Sequence, residues 1–524
     1  MSEFDVVIIG SGINSLVAGA LLSRKGHKVC ILERNDYIGG CIKTDEITLP
    51  GFHHDVFSGW HPLFVTSPAY AELGEELHAL GLEYVSTSKP TGVVLPDGRN
   101  FILRNSRAEN LDALQRFGEG EVRAYERAMA DIEQNAELIF GLLGADVRTF
   151  PTLKLMVRSL WKRGFQSLWD FAGLSMESCR KWLDNNFDSD EVKACFAPWI
   201  LHTGLGPEDT LSGLMGKLIA FSLEQASMPI VKGGSKNLVS AFVRLIEKHG
   251  GILQTRRHVD QVLIRDGRAV GVKTADGDIY SARKAVIGNV TPTQLYGSLL
   301  KEAAVPDTIQ QQSRDYQYGA GCMQIHLALD APPEWQDSAL NDVAMIHLTP
   351  GLDGVSKAVN EARRGLLPET ATVVVGQPTA LDPSRAPAGK AILWLQLQEL
   401  PYKVKGDAAG RIAVPEGGQW TAELKEAYAD RIIDRIAVHV PNLKEKILHR
   451  TVLSPRDLEQ QNINLVQGDP YSGACSIDQF MMWRPLKSTP NHRTPVANLY
   501  QIGASTHPGP GLAGTSGYIV SQYL

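Results

Sequence analysis

At 524 residues the chain exceeds what one hydrophobic core organises, and domain sizes point to roughly two to four units that need not be contiguous. Apolar residues make up 43% and charged residues 21%, with no run of the roughly eighteen unbroken apolar residues a membrane-spanning helix needs, so a spanning protein is not expected. A net charge of -6 gives no field that would attract a polyanion, so nucleic acid is not an expected partner.

The six cysteines are scattered with no CxxC pair, which argues against a disulfide framework or a zinc knuckle. Strand-like sequence begins at Phe4 and leaves no room for a targeting peptide, so a cytoplasmic location is expected.

Residues 4–9 form a short β-branched run suited to a central parallel strand buried on both faces. The glycine-rich turn Gly10-Ser11-Gly12-Ile13-Asn14-Ser15 follows. Gly10 permits the tight turn and Gly12 lets backbone approach a pyrophosphate, which the next helix faces with its free N–H groups. Ser15 stands where the fingerprint has its third glycine, and Ala18 and Gly19 keep that helix face slim. The helix stops near Gly26, and a strand at 28–32 ends at Glu33, 21 residues after Gly12 and close to the spacing of about 20 for an acid that binds ribose hydroxyls. This geometry alone leaves open which dinucleotide binds.

Glu33-Arg34-Asn35-Asp36-Tyr37-Ile38-Gly39-Gly40, followed by Thr44, resembles the extended FAD signature of the amine oxidase and phytoene desaturase flavoproteins. The resemblance implies FAD as the cofactor, with Arg34, Gly39 and Gly40 among its binding residues. Cys41 reads as a small buried residue and is assigned no role.

The cluster Gly51-Phe52-His53-His54-Asp55-Val56-Phe57-Ser58-Gly59-Trp60-His61 sits where that family has a motif close to the flavin, with an aspartate matching Asp55. No carboxylate or cysteine set with zinc-like spacing accompanies the histidines, and adjacent His53 and His54 would point apart on a strand, so no metal is expected. His54, Asp55 or His61 is expected to line the flavin or substrate cavity, where an imidazole would move a proton.

A hairpin at 93–103 opens a largely helical insertion. Residues 153–171 within it combine Leu153, Trp161, Phe165 and Trp169 with Lys154, Arg158, Lys162 and Arg163, which suits either a helix on a membrane surface or an amphipathic helix facing the core or a partner. Gly233-Gly234-Ser235-Lys236 then opens an apolar-periodic helix that ends at Gly250-Gly251, and hairpin strands at 259–264 and 269–274 follow. By resemblance this returns the chain to the FAD domain, with a backbone group at Val259 on the adenine.

Further strands are predicted at 323–329, 343–348, 372–375 and 392–397, and residues 382–390 again resemble a loop of the phytoene dehydrogenase-like group. Residues 498–512 closely resemble the family's terminal strand, glycine turn and helix. That resemblance puts Gly503 and Ala504 near the ribityl chain or pyrophosphate and a helix starting near Leu512 under the flavin, with His507 as a further catalytic candidate. Gly509, Gly511 and Gly514 also satisfy GxGxxG, but only ten residues remain after Gly514, too few for a second dinucleotide unit.

The expected fold is α/β: a Rossmann-type, glutathione reductase-like FAD-binding domain from residues 1–89, 226–294 and 476–524, and a discontinuous α+β substrate domain from 90–225 and 295–475 with a helical subdomain near 105–225. The resemblance implies an FAD-dependent dehydrogenase or desaturase that takes hydride and proton from a fairly hydrophobic small molecule to form a C=C or C=N bond. Oxygen, a quinone or another carrier would receive the electrons. A flavin amine oxidase, a redox-neutral flavin isomerase and a non-catalytic FAD-containing binding or assembly protein stand as alternatives. The oligomeric state is not readable from the sequence.

Overall fold

The computed structural model describes residues 2–524, apart from the side chains of Ser2, Pro490 and several positions between 151 and 168. The apolar run near the amino terminus becomes the strand Ser2–Ile9, whose Val6, Val7 and Ile8 are fully buried. It pairs in parallel with Val29–Leu32 on one side and Ile279–Asn289 on the other, as a run with no polar alternation must when both faces are covered. The full sheet has seven strands in the order Val259–Arg265, Arg268–Thr274, Ile279–Asn289, Ser2–Ile9, Val29–Leu32, Ile252–Gln254, with Leu499–Ile502 also paired in parallel to Ile279–Asn289. The helix Ile13–Arg24 lies against this sheet and packs on the helices Lys236–Lys248 and Thr515–Ser521. A Cβ at Gly517 would sit 1.9 Å from the Asn14 carbonyl oxygen, so the terminal helix reaches this close only because 517 is glycine.

A second seven-stranded sheet runs in the order Ile447–Leu453, Gly321–Leu329, Ala391–Leu400, Val373–Gly376, Met345–Leu348, Thr91–Val94, Asn100–Leu103. Side chains alternate across its strands. One face, including Met323, Ile325, Leu327, Leu393, Leu395 and Leu397, forms an aliphatic core with the helix Ala422–Ala437. The other face looks toward the helices between Arg107 and Ala226, whose own core contains Tyr125, Trp182, Phe187 and Phe196.

The strand Ile447–Leu453 is absent from the sequence-based expectation. It is an edge strand with His449 exposed and Arg450 ion-paired to Glu426 and Asp430, so its apolar pattern is weak. The terminal helix begins at Thr515 and not near Leu512, because Leu512 and Gly514 have φ of 60° and 71° and cannot belong to it. The basic segment lies in the helix Phe150–Met176, which Gly164 interrupts at φ 78°. Phe150, Trp161 and Trp169 are 77%, 86% and 62% exposed and Lys154 and Arg158 also face solvent, whereas the side chains of Lys162, Arg163 and Phe165 lie outside the described residues. Among the described residues no helix is long and apolar enough to cross a membrane.

Candidate functional site

A cavity of about 1150 Å³ runs from the carboxyl ends of the first sheet's strands to the inner face of the second sheet. Ligand pockets commonly measure about 300–1,000 Å³, so this one has room for a dinucleotide and a second molecule. Its first half is the expected dinucleotide cleft. Gly10, Gly12, Glu33, Arg34, Gly40, Val259, Gly503, Ala504 and Leu512 all line the cavity.

The turn is built to receive phosphate. The helix Ile13–Arg24 starts at Gly12 with no side-chain cap, which leaves its first N–H groups directed at the cleft. A Cβ at Gly40 would lie 2.9 Å from the Gly12 Cα, so two backbone segments meet there without side chains between them. Glu33, 5% exposed, accepts hydrogen bonds at Oε2 from the Ser11 N–H (2.9 Å) and hydroxyl (2.7 Å), and at Oε1 from the Asn35 N–H (2.9 Å). A carboxylate accepts about four hydrogen bonds, so one lone pair on Oε1 remains for a ligand hydroxyl.

Ser15 and Gly39, also expected at the cofactor, brace the cleft from behind. The Ser15 hydroxyl accepts from Asn289 Nδ2 at 2.9 Å, and the Gly39 N–H donates to the Ser11 hydroxyl at 3.0 Å. Ser15 thus adds a hydrogen bond where the fingerprint has glycine. Its partner Asn289 ends a central strand, lines the cavity and would meet a Cβ at Gly503 at 2.5 Å from Oδ1. Asn289 is not among the residues expected at the site, although an asparagine ending a buried parallel strand is a recognisable signal.

The second half is apolar. Leu205, Leu211, Met215, Leu218, Phe221 and Met228 come from the helical segments, and Trp394, Gln324, Gln396 and Gln398 come from the second sheet. The carboxylates in the wall, Glu33 and Asp260, both belong to the nucleotide half. The imidazole lining the apolar half is that of His202. Its Nε2 lies 3.1 Å from His347 Nε2 and its ring 4.5 Å from Trp199, and burial pushes its pKa down to about 3. The ring is therefore neutral.

Arg484 ties this wall together from the inside. Fully buried, it donates to the carbonyls of Ala504 (2.9 Å), Tyr471 (2.9 Å) and Ala474 (3.1 Å). Asp469, which accepts from the N–H groups of Gly319, Tyr471 and Gly473, holds the same loop. Nothing in the local sequence of Arg484 marks it out.

The four candidates for proton transfer stand behind the cavity wall. Asp55 is engaged by Arg385 Nη2 at 2.9 Å, by the Ser235 N–H at 2.9 Å and by the hydroxyls of Ser235 and Thr44, so its oxygens are committed to the fold. His54 is held by the Thr48 hydroxyl (2.7 Å) and the edge of His326, while His53 lies at the surface 3.6 Å from Glu46. His61 is fully buried against Tyr84, and His507 shares its Nε2 with the Leu142 carbonyl at 2.9 Å. The strand His54–Asp55 turns both side chains away from the opening because Arg385 and Thr48 draw them inward.

The family model for flavin-containing amine oxidoreductases matches residues 16–514. Among curated proteins, the rat pyridine nucleotide-disulfide oxidoreductase domain-containing protein 2 is 27% identical, with 98% of this chain and 92% of that one covered. A limonene dehydrogenase subunit of Castellaniella defragrans is 25% identical over 99% and 94%, and a neurosporene-forming phytoene desaturase of Cereibacter sphaeroides is 23% identical over 98% and 92%. Among solved structures, an oxidoreductase from Methanosarcina mazei superposes with a TM-score of 0.62 at 17% identity over 99% of both chains. Cyclohexylamine oxidase from Brevibacterium oxydans gives 0.58 at 16% identity over 99% of both, and these two likenesses concern the fold.

Proposed function

The chain belongs to the flavin-containing amine oxidoreductase family, and from that premise we propose that it is a dehydrogenase or desaturase acting on a neutral, largely apolar small molecule to form a C=C bond. It is an FAD-dependent oxidoreductase. The finer reading is carried by the absence of any carboxylate from the apolar half of the cavity among the described residues. A protonated amine entering that half would lose its hydration with no counter-charge in reach. Relatives named as a limonene dehydrogenase subunit and a phytoene desaturase support the same reading.

In this proposal Gly10, Gly12 and Gly40 bring backbone to the pyrophosphate, Glu33 receives a ribose hydroxyl, and Arg34 and Val259 border the adenosine end. Gly503, Ala504 and Leu512 border the flavin end. When bound, FAD supplies a two-electron acceptor for the hydride. The apolar side chains hold the substrate's C–H bond still. His202, with its pKa near 3, is too weak a base to retain a proton, so the proton that accompanies the hydride leaves to water. The proposed electron acceptor is oxygen, a quinone or another carrier.

The test is anaerobic bleaching of the flavin by a panel of alkenes, cyclic ketones, isoprenoids and amines. Bleaching by neutral members, followed by reoxidation with oxygen or a quinone, is the expected result. Bleaching by amines alone, or by nothing in the panel, overturns the reading.

A further inference from the structure

The inner face of the second sheet is not uniformly apolar. Gly321–Leu329 and Ala391–Leu400 pair antiparallel with Gln324 opposite Gln396 and His326 opposite Trp394. Val374 lies opposite Gln396 on the next strand, and His347 opposite Val374 on the one after. Of these, Gln324 and Gln396, on strands about 4.8 Å apart, line the cavity together with Gln398, so a short band of amide side chains lies on its floor, while His326 and His347 stand outside it. Such a band is costly under a substrate that is hydrocarbon throughout, since each amide surrenders water and receives nothing in return.

The members of the band differ in what holds them. Gln324 donates from Nε2 to the Phe57 carbonyl at 2.8 Å, and Gln398 donates from Nε2 to the Tyr471 hydroxyl at 2.8 Å. Those two amides are fixed by protein through Nε2, while their Oε1 atoms have no partner among the described residues. Gln396 lies between them at 8% exposure and lines the cavity, and the polar group the structure gives its amide is the Cys322 thiol, a weak hydrogen-bonding partner. An amide offers both a donor and an acceptor, and among the described residues no charged group lines the apolar half to compete with it.

We propose that Gln396 is a substrate-binding residue, and that the substrate is a neutral, mainly apolar molecule carrying one oxygen function, a hydroxyl or a carbonyl, that pairs with its amide. This rests on the dehydrogenase reading above and narrows it. The oxygen function is what the band selects, and the apolar helical wall takes the hydrocarbon remainder. A site shaped to hydrogen-bond one group rejects the analogue lacking it more strongly than an apolar pocket rejects an extra methylene.

The experiment uses the FAD-loaded full chain and two matched triplets of hydrocarbon, alcohol and ketone, one on a cyclic ten-carbon skeleton and one on a linear twenty-carbon isoprenoid. Binding is read from the ligand-induced shift of the flavin absorption spectrum under anaerobic conditions, separately from flavin reduction. In the wild type an alcohol or ketone should bind at least about tenfold more tightly than its hydrocarbon, as expected for one well-made hydrogen bond. Gln396→Leu should bring the members of a triplet to within about threefold of one another, and Gln396→Asn should restore part of the preference. Equal binding of hydrocarbon and oxygenated members, no binding by any oxygenated member, or a preference that survives Gln396→Leu overturns the inference. If the preference holds but no triplet member reduces the flavin, the dehydrogenase reading fails while Gln396 keeps its role. Should Gln396→Leu not yield flavin-loaded protein, Gln396→Met is measured in the same way, with the same outcomes deciding.

Discussion

Arg385 Nη2 and Asp55 Oδ2 lie 2.9 Å apart, both inside the protein, and join the short strand His54–Asp55 to the connection between the second sheet's strands Val373–Gly376 and Ala391–Leu400. Arg385 also reaches Asp382 through Nε at 3.1 Å. Burial alone would push the Asp55 carboxyl up, yet Arg385 with the Ser235 and Thr44 hydroxyls holds it below the ordinary carboxylate value. Its contribution to stability is therefore complete above the unfolded pKa of about 3.9 and is lost as pH falls below it. Asp55→Asn leaves part of a buried guanidinium unopposed and should cost about 3 kcal/mol in denaturant unfolding. Anaerobic reduction per bound flavin should change little. A large fall in that rate with unchanged stability would return Asp55 to the chemistry.

Glu33 spends three hydrogen bonds on its own turn and keeps one lone pair for the cleft. Glu33→Gln preserves size but removes charge and acceptor capacity, so affinity for FAD should drop by about 10- to 100-fold, the worth of one charge-assisted hydrogen bond. Titration of apoprotein with FAD measures this directly. Unchanged affinity would mean the ribose lies elsewhere.

Gly503 has φ of 114° and faces Asn289, whose Oδ1 would lie 2.5 Å from a Cβ there. Gly503→Ala should yield folded, flavin-poor protein, judged by far-ultraviolet circular dichroism and the ratio of flavin to protein absorbance. Adding Asn289→Ala should recover part of the flavin, because it clears the space though not the backbone strain. A double variant no better than Gly503→Ala would show that strain alone is responsible.

The exposed rings of Phe150, Trp161 and Trp169, with Lys154 and Arg158 on the same helix, match the composition of an interfacial helix. We propose peripheral binding to anionic lipid through this surface. Co-sedimentation with vesicles containing phosphatidylglycerol should fall several-fold in a variant combining Lys154→Glu and Arg158→Glu, and in Trp161→Glu. Equal sedimentation of all forms would assign the surface to another contact.

Legibility in the sequence followed locality. The first sheet's strand, turn, helix, strand and acid were readable because each depends on residues within a few positions: Gly10 on its own turn, Glu33 on the end of its own strand. The candidates for proton transfer were not, because the direction of Asp55 depends on Arg385, 330 residues away, and that of His507 on Leu142. The alternation Trp394-Leu395-Gln396-Leu397-Gln398 did carry information, since one face is aliphatic core and the other glutamine. It predicts a strand with two unlike faces, but which face meets a cavity is set by helices from a distant part of the chain.

Histidines deep in the protein give its stability a sign with pH. Burial pushes the pKa of His61, His326 and His507 down to about 4 and that of His492 to about 3. These groups are neutral in the folded state at pH 6, where the unfolded chain, with an ordinary value near 6.5, has begun to bind protons. The unfolded state therefore gains protons first, and stability falls as pH drops from about 6.5 toward about 4, by up to about 1.4 kcal/mol per pH unit for each fully protected histidine. Below that window both states are charged and the slope disappears. Melting temperatures measured between pH 7 and pH 4.5 should decline steadily. His326 meets the edge of His54 with ring centroids 5.3 Å apart, so His326→Phe retains an aromatic edge contact while removing one titrating group. That variant should melt with a shallower pH dependence than the wild type; identical slopes would mean that His326 is protonated alike in both states.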